Sequence, residues 1–388
     1  MPRKILHLIT DLGSGGAQMM LHQLLKSWRD PSYEHVVVSL VSSGIVAEKI
    51  AELNIPVFSL DMSPSRPTPM ALAKLVALLK REQPDLMQTW MYHADLLGST
   101  ASTIYGASKF KRLPVVWGIH NGTLANGHVK RSTLAIVRIL AMMSKGMKGI
   151  APAAVVSCSV SAATVHIDFG YQANRLRTIP NGFDCDAFHP DGLARMKLLA
   201  ELGLPFDAVM IGNFSRFDHP QKGHRHLVEA CGQLREEYPE LHLVLAGTNV
   251  GEDNELLSDW IVEAGLQDRV HCLGMRSDIP ALMAGIDAYC LASPYSEAFP
   301  LVIGEALASG TPCVTTNVGD AAWLVGDAGF IVTPGDSTAL AQGIRSMLNV
   351  APTNRRAMGL LGRTSIVKNF PAESAALGYA SLYANILQ

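Results

Sequence analysis

The chain has 388 residues, 48% of them hydrophobic and 17% charged, with a net charge of −2. This describes a well-cored soluble protein of two domains rather than one and gives no reason to expect a nucleic-acid partner. Six cysteines without CxxC spacing predict reduced core thiols. No apolar run is long enough to predict a membrane span, and Met1-Pro2-Arg3-Lys4-Ile5 leads into a strand with no signal peptide.

The expected compartment is therefore cytoplasmic. The charge is unevenly spread: residues 1–180 hold 19 Lys+Arg against 10 Asp+Glu, and the remainder 13 against 24. A basic front half suits phosphates, a polyanion or an anionic membrane.

In chain order, β-rich runs alternate with helical ones. Strands are predicted over 5–10, 35–41, 57–60, 85–89, 115–119 and 154–157, and helices over 17–28, 46–53 and 70–82. After Pro180-Asn181-Gly182 the alternation restarts, with strands over 209–214, 241–246, 270–272, 288–291, 311–315 and 330–332. Such βα alternation predicts two doubly wound parallel sheets, with ligands at the carboxyl ends of their strands. Joined near Asn181-Gly182, the two domains would face each other across a cleft.

The first turn, Asp11-Leu-Gly-Ser-Gly-Gly-Ala-Gln18, lets backbone N–H groups approach a phosphate, or is simply a tight turn. It departs from the dinucleotide fingerprint at Gln18, and Ser42-Ser43-Gly44 after the second strand offers no acid for a ribose, which disfavours a dehydrogenase. His93 and His120 each follow a strand, and His120, followed by Asn-Gly, is the better placed for a cleft. No HxxxH spacing suggests a metal, and no nucleophile elbow suggests a hydrolase.

In the second half, Arg216 and Lys222 stand six residues apart at a strand's end, suited to a diphosphate. Glu297 and Glu305 flank Pro300, which is expected at the first helical position. The pair is either a loop acid with a helix-surface acid, or two acceptors for sugar hydroxyls beside a phosphate seat at the helix N-terminus. Residues 129–150 form an apolar stretch carrying Lys130, Arg131, Arg138, Lys145 and Lys148, with Lys109, Lys111 and Arg112 upstream. It reads as a core helix with solvated ends or as an interfacial helix on anionic lipid.

Together these motifs resemble the retaining glycosyltransferases of family 4, group 1, with the GT-B fold. The likeness runs through Gly-Gly-Ala-Gln18, Ile179-Pro-Asn-Gly-Phe-Asp184 to Phe188, Arg216 to Lys222-Gly223, Gly274-Met-Arg276-Ser-Asp278 and the Glu297/Glu305 pair. Trp90-Met-Tyr-His93-Ala-Asp and Trp117-Gly-Ile-His120 are similar to members of bacterial exopolysaccharide and lipopolysaccharide synthesis. The insertion Phe217-Asp-His-Pro-Gln221 is longer than in many members.

The resemblance implies an α/β GT-B architecture of two Rossmann-like domains. Residues 1–180 would take the acceptor and 181–370 the nucleotide sugar, while a helix in 371–388 would cross back. It implies transfer of a hexose from a nucleoside diphosphate sugar, UDP- rather than GDP-linked, to a glycan or polyprenyl- or lipid-linked hydroxyl, without metal or cofactor. Gly15 and Gly16 would approach the donor phosphates, and Arg216 and Lys222 would hold the diphosphate. The backbone at Arg276 would lie on the base, Glu305 on the ribose and Glu297 on the sugar. Ala298, Phe299 and Leu301 would complete the donor site, and His120 would stand near the reaction centre. An anionic membrane surface, met through 109–112 and 129–150 at the inner face of the cytoplasmic membrane, is the expected docking surface. A nucleotide-sugar epimerase or hydrolase, or a catalytically silent binding partner, is the alternative.

Overall fold

The computed structural model describes residues 2–13, 15–41, 44–62, 69–109, 112–125, 127–146 and 150–388, side chains 108 and 109 excepted. Ser14, Ser42, Ser43, Lys111, Lys148 and the Lys109 side chain therefore lie outside the described set. The chain forms two compact units, one of Met1–Gly182 with Ala372–Gln388 and one of Phe183–Pro371.

The first unit begins β1 (Arg3–Ile9), α1 (Gly16–Lys26), β2 (Tyr33–Ser39), α2 (Ile45–Ala51), β3 (Val57–Ser59) and α3 (Pro69–Glu82). It continues β4 (Leu86–Trp90), α4 (Tyr92–Lys109), β5 (Val115–Ile119), α5 (Arg131–Ser144), β6 (Ala154–Ser157), α6 (Val160–Phe169) and β7 (Leu176–Thr178). Its seven strands are parallel in the order β3-β2-β1-β4-β5-β6-β7.

The second unit runs α7 (Ala194–Leu202), β8 (Val209–Phe214), α8 (His224–Leu234), β9 (Leu241–Ala246), α9 (Glu255–Glu263), β10 (Val270–Cys272) and α10 (Ile279–Gly285). Then follow β11 (Ala288–Leu291), α11 (Leu301–Ala308), β12 (Cys313–Thr316), α12 (Ala321–Val325), β13 (Gly329–Val332), α13 (Ser337–Leu348) and α14 (Pro352–Asn369). Its parallel order is β10-β9-β8-β11-β12-β13. The last helix, α15 (Ala372–Leu387), returns to the first unit, where it packs on α1 and adds Tyr379 and Tyr383 to the core.

The strands are apolar runs because helices cover both faces of a parallel sheet, so no polar face is left to alternate. Leu86–Trp90 and Val115–Ile119 are buried at every residue. α4 was not legible from periodicity because its sheet-facing positions are small and polar. Ser99 and Ser102 are fully buried, and a Cβ on Gly98 would stand 2.7 Å from the Thr89 side chain.

In each sheet the winding direction reverses once, between β1 and β4 and between β8 and β11. The connections leave in opposite directions there and open a crevice at the carboxyl ends of the strands. The glycine turn follows β1; Arg216 to Lys222 follow β8 and Ser293 to Glu297 follow β11.

Candidate active site

In the second unit, the turn after β8 is built by backbone contacts. The Lys222 N–H donates to Asp218 O at 2.9 Å, and Phe217 N–H to Thr248 O at 2.8 Å. Gly223 then opens α8 with φ +67°, and a Cβ there would fall 1.9 Å from Ala292 O. A side chain at 223 would push this turn off β11, so the close approach requires glycine.

That approach brings Lys222 beside the β11 loop. Its Nζ meets Glu297 Oε1 at 2.7 Å, and Ser293 Oγ donates to the same oxygen at 2.8 Å. Ser293 is fully buried, so Glu297 is held from two sides by groups that do not move with solvent. Ser296, just before it, has φ +71°, a left-handed conformation that costs energy for a residue with a Cβ and turns the loop toward α11. Across the loop, a Cβ on Gly319 (φ +56°) would fall 2.4 Å from Glu297 O.

Arg216 lies at the outer edge. Its Nη2 and Nε donate to Asp218 Oδ2 at 2.8 and 3.2 Å, and both side chains are well exposed. The guanidinium keeps further donors for a ligand. Arg276 is different: its guanidinium pairs with Glu201 and with Asp278 at 2.6 Å, which pushes its pKa up. These contacts engage four of its five N–H donors.

Pro300 stands one place earlier than expected. With ψ 106° it is the N-cap and Leu301 is the first helical residue, with no side-chain cap on the helix. Proline lacks the N–H that the helix would use, so either place suits it. The uncapped first turn, at partly buried Leu301 and Val302, is electropositive. Ala298 and Phe299 are buried behind it, where Phe299 stacks on Phe183 at 5.9 Å. Gly304 lets α11 lie directly on that Phe183 ring, which a Cβ would meet at 2.0 Å.

Glu305 lies one turn further on. It is partly buried, its carboxylate takes no hydrogen bond from the described residues, and burial pushes its pKa up to about 7. A carboxylate left so poorly solvated is ready for hydroxyl donors.

In the first unit, Gly15 caps α1 in extended geometry with no side-chain cap, and Gly16 is its first residue. Asp11 Oδ1 accepts from Gly13 N–H at 3.0 Å and from Gln18 Nε2 at 2.8 Å, fixing the turn. A Cβ on Gly15 would strike Gln18 Oε1 at 2.4 Å. The backbone at the α1 N-terminus is thus open to an anion.

His120 follows β5 and stacks on Trp90, with ring centroids 5.1 Å apart. Its buried Nε2 has no partner among the described residues, and burial lowers its pKa to about 4. The ring is neutral at physiological pH. His93 is half-buried and its pKa is also lowered, by burial and by Lys130.

Residues 14–187 match the family description Glycosyltransferase Family 4, and residues 207–350 match Glycosyl transferases group 1. The chain belongs to the family 4, group 1 glycosyltransferases. It is 32% identical to the MMP alpha-(1->4)-mannosyltransferase of Mycolicibacterium hassiacum, over 62% of this chain and 56% of that protein. It is 25% identical to the UDP-Gal:alpha-D-GlcNAc-diphosphoundecaprenol alpha-1,3-galactosyltransferase of Escherichia coli, over 64% of this chain and 62% of that protein. The chain spans about half the length of the curated relatives it matches, 56% and 37% for two of them.

Among solved structures, HepE of Anabaena in complex with UDP and glucose superposes with a TM-score of 0.83 and 26% identity, covering 99% of this chain and 100% of that one. WaaG, a glycosyltransferase of lipopolysaccharide biosynthesis, superposes at TM-score 0.73 and 14% identity over 98% and 99% of the two chains, a likeness of fold alone. The fold class of this family 4 member is GT-B, with seven- and six-stranded parallel sheets.

Three residues beside the candidate groups of the two units escaped sequence reasoning. Ser293 follows β11 and gives no signal until Glu297 is placed beside it. Asp218 lies in the insertion between the two cations, and its contact with Arg216 singles it out. Trp90 belongs to the Trp-Met-Tyr-His93 motif, but its stacking on His120 depends on the order of β4 and β5 in the sheet.

The basic stretch resolves into α5, a helix of 14 residues rather than 22, since Lys130 and Lys145 flank it as caps. Its inner face, Leu134, Val137, Leu140 and Met143, is core. Its outer face shows Arg131, Ala135, Arg138, Ile139 and Met142. Arg112 donates to Ala151 O and is partly tied down. No helix among the described residues is long and apolar enough to cross a membrane.

Proposed function

We propose that this protein transfers a hexose, with retention of configuration, from a nucleoside diphosphate sugar to a hydroxyl of a glycan or lipid-linked acceptor in bacterial cell-surface polysaccharide synthesis. The observation that carries the proposal is the convergence, at the switch point of the second sheet, of Lys222, Glu297 and the uncapped α11 N-terminus, with Arg216 at its edge and the unpartnered Glu305 carboxylate on the same helix.

In this reading Arg216, Lys222 and the helix N-terminus bind the diphosphate and stabilise the charge that develops as it leaves. Glu305 accepts the ribose hydroxyls and Glu297 those of the transferred sugar. Gly15 and Gly16 offer backbone N–H groups to the donor phosphates, and the backbone at Arg276 lies against the base. Uridine is favoured by the UDP and UDP-glucose bound to the Anabaena protein. A lipid-diphosphate acceptor is favoured by the substrate named for the Escherichia coli galactosyltransferase. In this reading Arg216 and Lys222 take the place of a metal, and the leaving phosphate itself takes the acceptor's proton on the same face of the sugar.

The test is incubation with UDP- and GDP-sugars, with and without hydroxyl acceptors, in the presence and absence of EDTA. Acceptor-dependent release of nucleoside diphosphate that survives chelation is expected. Equal release without acceptor would make the protein a hydrolase, and no release with measurable binding would make it a silent partner. Undiminished transfer by His120→Ala would remove that histidine from the reaction centre.

A further inference from the structure

Beneath His120 lies a buried polar array that stability alone does not explain. Trp90 is fully buried, and its Nε1–H donates to His7 Nδ1 at 3.3 Å. His7 Nε2 and His35 Nδ1 are 2.9 Å apart. An indole nitrogen can only donate, so His7 must accept at Nδ1. A neutral His7 then carries its proton on Nε2 and donates it to His35, which in turn carries its own on Nε2. Burial keeps both rings neutral. The order of donors is thus set from the tryptophan outward. It ends on His35 Nε2–H, which is buried with no acceptor among the described residues.

Aromatic rings close the array on its other sides. Tyr379 lies 5.9 Å from Trp90, Trp28 meets His35 edge-on at 4.5 Å, and Tyr383 stacks on Trp28 at 5.9 Å. An apolar cluster of the same volume would pack here without an orphaned donor, so the polar chain is costly where it stands.

What it can do is fix a ring. No hydrogen bond to the described residues holds the His120 imidazole; its stacking on Trp90 does, with the planes 24° apart. Packing confines the indole, and its bond to His7 favours the one orientation that turns Nε1 towards that ring.

We infer that His7 and His35 are positioning residues for the transfer reaction: they hold Trp90 in one orientation, and its ring sets the plane of the His120 imidazole, the group assigned above to the reaction centre. The inference rests on the reading of His120 given above.

The test uses His7→Leu and Trp90→Phe in the full chain. For both, kcat should fall about ten- to a hundred-fold, the scale for a misplaced reacting group. Donor KM and nucleotide affinity should stay as in the wild type. The His120 ring-proton signals in NMR spectra of histidine-labelled protein, displaced in the wild type by the indole face, should move in His7→Leu. His7→Gln, which can still accept and donate, should recover most of the lost kcat.

Wild-type kcat together with unmoved His120 signals in His7→Leu would overturn the inference. If His7→Leu does not fold, wild-type kcat in Trp90→Phe does so instead. The NMR measurement needs no substrate. Loss of the histidine reading through an active His120→Ala protein is therefore distinguishable from failure of the positioning array.

Discussion

Lys222 and Glu297 are 75 positions apart in the chain, and their side chains meet at 2.7 Å with exposures of 16% and 11%. The pair links the turn after β8 to the loop after β11, so one contact joins the two sides of the crevice in the second sheet. Arg216, by contrast, pairs among the described residues only with Asp218 two residues on, in the open.

This difference separates the two cations by experiment. Lys222→Ala and Arg216→Ala should each lower turnover by roughly two to three orders of magnitude, the scale for losing one preorganised charge stabiliser. Only Lys222→Ala should also lower stability, because it strands a mostly buried carboxylate. The exposed Arg216–Asp218 pair is worth at most about 1 kcal/mol. Turnover at saturating donor and urea denaturation measure the two effects. Near-normal turnover in either variant removes that residue from the diphosphate role.

The two glutamates should divide by ligand. Glu305→Gln should weaken binding of free nucleoside diphosphate and of the donor sugar alike, because its partner is the ribose. Glu297→Gln should spare the free nucleotide and reduce turnover. Calorimetry on both variants decides, and the reverse pattern overturns the assignment.

Glu305 also predicts a pH dependence. Its pKa rises from near 4.5 to about 7 on folding, because burial disfavours the charged form. Below pH 4.5 both states hold the proton and the group contributes nothing. As pH rises towards 7 the unfolded chain releases the proton while the folded one keeps it, so stability is lost; above 7 the loss is constant. Glu305→Gln stays neutral throughout. Its advantage over the wild type should be absent near pH 4, grow through pH 5–7 and level off at about 3 kcal/mol. A difference that does not change with pH in denaturation experiments would rule out the raised pKa.

The outer face of α5 supports a membrane prediction. Arg131 and Arg138 flank the exposed Ile139 (41%) and Met142 (57%), with Lys130 and Lys145 at the ends. Each cation near an anionic surface contributes about 1 kcal/mol. We expect salt-sensitive flotation with anionic liposomes and none with neutral ones. Replacing Lys130, Arg131 and Lys145 by Ser should abolish it without changing donor affinity. Wild-type protein that fails to float at low salt would favour a soluble acceptor.

Much of the architecture was legible in the sequence. Strands such as β5, β6, β8, β9 and β11 are short apolar runs closed by turn residues, and the structure places them at the expected bounds. Local chemistry also placed Glu297 before a helix and Glu305 within it, since Pro300 and the apolar run behind it fix where that helix starts. Local information could not supply partners distant in the chain. Serines and a glycine hid α4, because what makes that helix stable is the strand it touches. Glu305 is an ordinary carboxylate in sequence and acquires a pKa of about 7 only from what surrounds it. The sequence by itself determined the elements and the residue types at their ends, because propensity and periodicity act over a few residues. The tertiary structure alone decided that Lys222 meets Glu297 and that Trp90 lies under His120, because strand order sets which ends become neighbours.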